Sequence, residues 1–405
     1  MFEMCDFPAD IILHNNNKIV FVVLDGLGGL PLSKDGQTEM ETAKTPNLDK
    51  LVAENVCGCF DPLLPGITPG SGPAHLTLFG YDALKLPIGR GLLEALGIDF
   101  KITPSDVCIR VNFCTLDKDG KITDRRAGRI SSEENQRVLG MVRDKIKPPK
   151  GIQIFLETVS EHRALMVLRS DQLDDNVADT DPQALGVPPL EAKTHSGQSS
   201  RTTKIVNGLI GQTREILRDV DSPANFVLLR GFAKMQKMPS FQEKWGCKAG
   251  AVAGYPMYRG LARLVGMEVV AGPTEPKELA RAAAKHLPDF DFLFVHFKYT
   301  DKKGEDGDFA GKVAQIEAFD AAVPDFVALN PSTLVITADH STPAKLAMHS
   351  WHPVPVVIAS ELVRPDDVHS FGERAMAHGG LGRQLMINLM PLVLAHAGRL
   401  TKFGA

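Results

Sequence analysis

Among its 405 residues the sequence has only six cysteines: Cys5, Cys57, Cys59, Cys108, Cys114 and Cys247. So few thiols, at spacings that match no zinc pattern, exclude a disulfide framework and favour a reducing, cytoplasmic compartment. Long apolar runs are scarce as well. The longest aliphatic and aromatic stretch, Ile19 to Leu24, falls far short of the ~18 residues that a membrane-spanning helix needs. The opening segment, Met1 to Asn17, has neither the basic nor the apolar region of a secretory signal. Net charge is nearly absent: 45 basic against 49 acidic side chains leave −4. That balance removes the electrostatic reason to expect nucleic acid or a membrane surface as partner. Internal repeats, low-complexity tracts and Pro-rich linkers are missing too. No Walker loop, dinucleotide fingerprint or Gly-x-Ser-x-Gly elbow can be found.

What is there suits a globular protein, with 43% hydrophobic and 23% charged residues. The length argues for two to three domains, or one large domain carrying an insertion. Short apolar runs that end in polar residues and Gly, Pro or Ser recur at Ile19–Leu24, Asn225–Leu229, Asp291–Phe297, Leu334–Thr337 and Val354–Ala359. Runs of this kind read as parallel strands buried on both faces. Helical patterns lie between them, at Thr45–Glu54, Pro256–Val265, Pro276–His286 and Lys312–Leu329, with Pro324 ending or kinking the last. An α/β class with a mostly parallel sheet follows. From about Ile98 to Ser222 the pattern changes to alternating segments and loose polar loops. The expected organisation is therefore a core from 1–95 and 223–405, interrupted by an α+β insertion at 96–222.

In open α/β sheets ligands bind beyond the carboxyl ends of the strands, and here those ends are acidic. Asp25 follows the first run. Asp301, Glu305, Asp306 and Asp308 follow the third, and Asp339 and His340 follow the fourth, with His349 and His352 shortly after. Singly each has a plain reading as turn former, helix cap or structural histidine. Together they would repel one another unless cations sat between them, and a mixed Asp/His set suits Mn, Zn or Mg in phosphate chemistry. The Pro- and Gly-dense loop Pro65 to His75 places Ser71 at the opening of a helix. A serine there can simply cap the helix. It can also become a nucleophile facing a bound anion if a metal helps to remove its proton. A third signal is basic: Arg110, Arg125, Arg126, Arg129, His162 and Arg163, with Arg230 and Lys248 further on. Arginine forks fit phosphate and carboxylate oxygens, though most surface arginines are merely solvated.

At these residues the sequence resembles the archaeal-type, cofactor-independent phosphoglycerate mutases, a branch of the alkaline phosphatase superfamily. The resemblance spans essentially the whole chain. It rests on Val23-Leu24-Asp25-Gly26, Thr45-Pro46-Asn47-Leu48-Asp49, Pro69-Gly70-Ser71 with Ala74-His75-Leu76, Gly80-Tyr81-Asp82, Arg110-Val111-Asn112-Phe113, Asp124 to Arg129, Asp339-His340-Ser341-Thr342-Pro343, and His349 with Pro353-Val354-Pro355. It implies an alkaline-phosphatase-like metal core with an inserted transferase domain, and two divalent ions, manganese first and Mg, Co or Zn as alternatives. Carried over by position, Asp25, Ser71, Asp339 and His340 would surround one ion, and Asp301 with His349 the other. Ser71 would take the phosphate of phosphoglycerate and return it to the neighbouring hydroxyl. Arg230 and Lys248 would grip phosphate, while Arg110, His162 and the Asp124, Arg125, Arg129 run would hold the small-molecule substrate. One position departs from the pattern: Glu305 stands where the family's Asp-x-x-Gly-His has histidine. A carboxylate there would tilt metal preference toward Mn or Mg. It also leaves open a phosphatase, a phosphotransferase such as a homoserine kinase, or a non-catalytic homologue.

Overall fold

The computed structural model describes residues 7–86, 88–235 and 238–404, so Cys5 lies outside the described residues. Its strands, in chain order, are β1 (Ile19–Leu24), β2 (Val56–Asp61), β3 (Asp106–Leu116), β4 (Ile122–Asp124), β5 (Gln153–Ser160), β6 (Arg163–Arg169), β7 (Phe226–Ala233), β8 (Ala249–Val252), β9 (Glu268–Ala271), β10 (Phe292–Phe297), β11 (Thr333–Thr337), β12 (Val354–Ala359) and β13 (Gly382–Leu385). The chain divides into two compact units: residues up to 87 together with those from 238 onward, and residues 88–237.

The first unit holds an eight-stranded sheet in the order β13-β2-β12-β11-β1-β10-β8-β9. Every residue of β1 and of β10 is buried, as expected of central strands without inside–outside alternation. The registers Val23↔His296, Leu24↔Phe297 and Val23↔Thr337 bring β1, β10 and β11 to their carboxyl ends at nearly the same level. Residues just after these strands therefore meet. Two features differ from the sequence-based expectation. β2 carries no clear strand signal in sequence, because Gly58 and Asp61 dilute its apolar run, yet all six of its residues are buried. β12 runs antiparallel to both β11 and β2, where the sequence suggested a parallel strand. The reversal puts its amino end beside the carboxyl ends of its neighbours, and the chain enters it straight from His349 and His352. The expected helix over 312–329 is two helices, Phe309–Asp320 and Val323–Val327, with Pro324 in the first turn of the second.

The second unit is an antiparallel sheet in the order β4-β3-β6-β5, with β7 also paired to β3. Val107, Ile109, Val111 and Phe113 alternate along β3 into one core, the two-residue period of a sheet with one covered face. Helices Ser132–Lys145 and Arg201–Ile216 cover that face with Val138, Leu139, Val142, Val206 and Leu209. β7 corrects a further expectation: its apolar run is an antiparallel strand of this sheet and not a member of the parallel one. The helix Arg90–Gly97 also belongs here. The unit's limits, 88 and 237, accordingly lie outside the 96 and 222 read from the sequence.

Candidate active site

β1 ends at Leu24, and the chain turns at Gly26 with φ +60. A side chain there would be strained, and its Cβ would lie 2.5 Å from Thr342 Oγ1 and 2.7 Å from Asp301 Oδ1. Glycine thus lets Asp25, Asp301 and Thr342 crowd together. Asp25, Asp339 and His340 are fully buried, and one ligand atom from each falls within 4.8 Å of the others. Asp301, His340 and His349 form a second such group. The imidazole of His340 is common to both, and its ring stacks on His349 at 3.7 Å.

Hydrogen bonds fix which face of His340 is presented. The Thr342 hydroxyl donates its one hydrogen to Asp301 Oδ1 at 2.6 Å, so it accepts from His340 Nδ1–H at 3.0 Å. This network assigns the tautomer and leaves Nε2 facing Asp25 Oδ1 at 3.3 Å and Asp339 Oδ2 at 3.2 Å. Those two carboxylate oxygens are buried and have no hydrogen-bond partner among the described residues. Leaving buried acceptors unmatched is costly. Two bare carboxylate oxygens around an imidazole nitrogen make a donor set that fits a divalent cation. Burial disfavours charge on His340, but Asp339 and Asp25 raise it to about 9, so a metal ion would compete with that proton.

A cation within the protein also serves these acids. Lys298, directly after β10, donates to Asp25 Oδ2 at 2.9 Å and to Asp301 Oδ2. Burial opposes ionisation of Asp25, yet Lys298 and the neighbouring histidines hold it well below the usual carboxylate range. Asp25 Oδ2 also accepts the Tyr258 hydroxyl, and the Tyr258 ring stacks on His296 at 3.6 Å. The strand-end acids were legible in the sequence. Lys298, Tyr258 and His296 carry no such signal: a lysine after a strand, and a tyrosine and a histidine amid apolar neighbours, have ordinary readings in sequence. His75 belongs with them: its Nδ1 donates to Ser71 O at 2.9 Å and lies 3.2 Å from Asp339 Oδ2.

Ser71 opens the helix Ser71–Leu78, and the capping position before it, Gly70, makes no side-chain cap. Its Oγ lies 3.3 Å from His340 Nε2, so the hydroxyl stands beside the first metal-type group and among the helix's free N–H groups. His349 lies 3.6 Å from Asp301 Oδ1, and its Nδ1 donates to Pro69 O at 2.9 Å. Glu305 falls outside both ligand groups. Its half-exposed carboxylate is 3.9 Å from His349 Nε2, and burial with Asp301 raises its pKa. Asp306 and Asp308 do not enter either group. Asp308 caps the next helix through Gly311 N–H at 2.8 Å. Lys248 is a clear correction. It precedes β8, with its ammonium over the Phe290 ring and its N–H on Asp291, at the amino end of the sheet and so opposite the ligand groups.

The second unit gathers the remaining basic residues. Arg110 on β3 pairs in register with Arg230 on β7. Arg125 donates to Asp181 at 2.9 and 2.7 Å, and Arg230 lies 3.4 Å from the same carboxylate. Asp181, buried and unremarked in the sequence, is the hub of this arrangement. Asp124 supports a turn: its oxygens accept the N–H groups of Arg126 and Gly128, both at 2.7 Å. In that turn Ala127, Gly128 and Arg129 all have left-handed backbones, with φ of 47, 65 and 53. Burial lowers His162 to about 4, with Arg163, Arg110, Arg126 and Arg129 adding to the effect. Burial also lowers Arg110 to about 10, Glu94 opposing and Arg90, Arg163 and Arg230 adding. Clustered cations that depress one another's charge make a receptive field for an anion.

Comparison with known proteins gives a consistent result. Residues 53–223 match the family described as 2,3-bisphosphoglycerate-independent phosphoglycerate mutase. A Thermus thermophilus protein named "Probable 2,3-bisphosphoglycerate-independent phosphoglycerate mutase" is 48% identical over 404 residues, covering 98% of this chain and 99% of its own. Among solved structures, a Pyrococcus horikoshii protein matches with TM-score 0.82 at 30% identity, covering 96% of this chain and 100% of that one. A cofactor-independent phosphoglycerate mutase from Thermoplasma acidophilum matches with TM-score 0.68 at 29% identity, covering 94% and 100%.

Proposed function

The chain belongs to the 2,3-bisphosphoglycerate-independent phosphoglycerate mutase family of isomerases, and we propose that it interconverts 3-phosphoglycerate and 2-phosphoglycerate through a phosphate ester on Ser71. The observation that carries this reading is the Ser71 hydroxyl at a helix N-terminus, 3.3 Å from His340 Nε2 and next to the bare oxygens of Asp25 and Asp339. Divalent cations, Mn2+ being our proposal, would help to ionise the serine and draw charge from the phosphoryl oxygens when held by Asp25, Ser71, Asp339 and His340, and by Asp301 and His349.

In the forward direction Ser71 Oγ gives up its proton and attacks phosphorus, the bond to the glycerate 3-oxygen breaks, and that oxygen takes up a proton in place of the one Ser71 lost. The 2-hydroxyl then gives up its proton and attacks the phosphoserine phosphorus, the bond to Ser71 Oγ breaks, and Ser71 regains a proton. Both transfers use the same serine, so no bisphosphoglycerate is consumed. N–H groups at the helix opening offer positive charge to the transferring phosphoryl group, and we assign the ammonium of Lys298, which bridges Asp25 and Asp301, a share in neutralising it. We assign recognition of the substrate's anionic groups to Arg110, Arg125, Arg129, Arg230 and His162, with Asp124 holding the Arg129 turn. A cytoplasmic setting suits the five free, buried thiols among the described residues, and no helix among those residues is long and apolar enough to cross a membrane.

The test is an isomerisation assay with Mn2+ and without bisphosphoglycerate. Wild-type protein should convert 3-phosphoglycerate and carry phosphate on Ser71 by mass spectrometry, and Ser71→Ala should do neither. An inactive wild type or a fully active Ser71→Ala protein would overturn the assignment. Because Glu305 stands aside from both ligand groups, the same assay should also follow inorganic phosphate. Its release without isomerisation would identify a phosphatase.

A further inference from the structure

The first ligand group rides on the loops that follow β1 and β11, and one buried lysine that touches neither ligand group holds both loops. Lys312, in the helix Phe309–Asp320, is fully buried. Its Nζ donates to the carbonyls of Gly26 and Gly28, both at 2.9 Å, on the loop that leaves β1 with Asp25. It also donates to the carbonyl of Thr342 at 2.8 Å, on the loop that leaves β11 with Asp339 and His340. Three ammonium hydrogens thus meet three backbone acceptors. No neutral side chain can donate three hydrogen bonds from a single atom.

Two carboxylates complete the staple, Glu39 fully buried and Glu373 partly so. Glu39 accepts Leu30 N–H at 3.0 Å on one oxygen and Ala344 N–H at 2.7 Å on the other, spanning the same pair of loops. Glu373 accepts Gly29 N–H at 2.8 Å and the Thr38 hydroxyl. A fully buried lysine is rare, since withdrawing an ammonium from water costs several kcal/mol. The position that bears this cost links Asp25 to Asp339 and His340. We infer that Lys312, assisted by Glu39, is a positioning residue: it sets the separation of the Asp25 and Asp339–His340 loops, and through it the divalent-cation affinity of the first ligand group. The inference rests on the metal reading given above.

Calorimetric titration of the full chain with MnCl2 tests it, using wild type, Lys312→Met, Glu39→Gln and Arg399→Met. Arg399 is the control: it is buried and bonded to the carbonyls of Asn15 and Asn17 and to Asp291, at the amino end of the sheet. Lys312→Met and Glu39→Gln should bind Mn2+ about 10–100-fold more weakly, while KM for 3-phosphoglycerate at saturating Mn2+ stays near the wild-type value. Arg399→Met should lower the melting temperature and leave Mn2+ affinity unchanged. Wild type that takes up no Mn2+ would overturn the metal reading and this inference with it. Wild-type affinity in folded Lys312→Met would overturn the inference alone, as would equal weakening in Arg399→Met. Should Lys312→Met fail to fold, wild-type affinity in Glu39→Gln decides against it in the same way.

Discussion

At Lys298 the site answers its own electrostatic difficulty, since the ammonium bridges Asp25 and Asp301 where their charges would otherwise face each other. Lys298→Met should therefore lower kcat by about 10²-fold or more at saturating Mn2+, the scale expected when one preorganised charge is lost from a transition state. Wild-type kcat in that variant would show the ammonium to be structural. His162 offers a second, independent check. The unfolded imidazole takes its proton near 6.5, whereas burial and the surrounding arginines lower it to about 4 in the folded protein. The folded state thus binds fewer protons in that interval, and the stability owed to neutral His162 is present above about 6.5 and lost as pH falls toward about 4. Replacing His162 with Gln should flatten the pH dependence of the urea midpoint between those values. An unchanged slope would place the titrating group elsewhere. Asp25, Ser71, Asp339 and His340 could be read from the sequence because each follows an apolar run or a Gly-rich turn. Tyr258 and His296 could not, since a tyrosine and a histidine amid apolar neighbours look like ordinary core until the fold stacks them under Asp25.

The elements carry information that composition does not. β12 has the same continuous apolar pattern as β1 and β11, so its reversed direction leaves no mark in the run itself. That reversal is nonetheless what brings the chain past His349 to the ligand-bearing edge. The helix Tyr299–Glu305 shows the opposite case, in which one residue governs the placement of an element. A Cβ on Gly304 would lie 2.1 Å from the Thr342 carbonyl oxygen, so the helix approaches the Thr342 loop only because residue 304 has no side chain. Backbone on both sides leaves little room to yield. Gly304→Ala should move the helix that bears Asp301, destabilise the protein by roughly 1–3 kcal/mol, and weaken binding of the second Mn2+ more than the first. Denaturant melts together with a two-site Mn2+ titration check this. Equal weakening at both sites would mean that the loop, and not the helix, had shifted.

For the whole molecule, the change from continuous to alternating apolar pattern near residue 98 lies close to β3, which opens at Asp106 in a separate, antiparallel sheet. The helix Arg90–Gly97 and strand β7 look like core elements in sequence but pack on β3, which extends the second unit to 88–237. Within that unit the two chain ends run side by side. Gly89 comes so close to the backbone of Gly231 that a Cβ would sit 2.7 Å from its carbonyl oxygen. A segment with adjacent ends, and with its own core built from Val107, Phe113, Val138, Leu168, Val206 and Leu229, has what an independently folding domain requires. Residues 88–237 expressed alone should therefore unfold in one cooperative urea transition, with an m value of roughly 1–3 kcal/mol/M. They should give the His162 titration described above and no isomerisation of phosphoglycerate, because Ser71 and both ligand groups lie in the other unit. A gradual, non-cooperative loss of signal would show that its core depends on the rest of the chain, and that the insertion is continuous with the parallel sheet in energy although separate in topology.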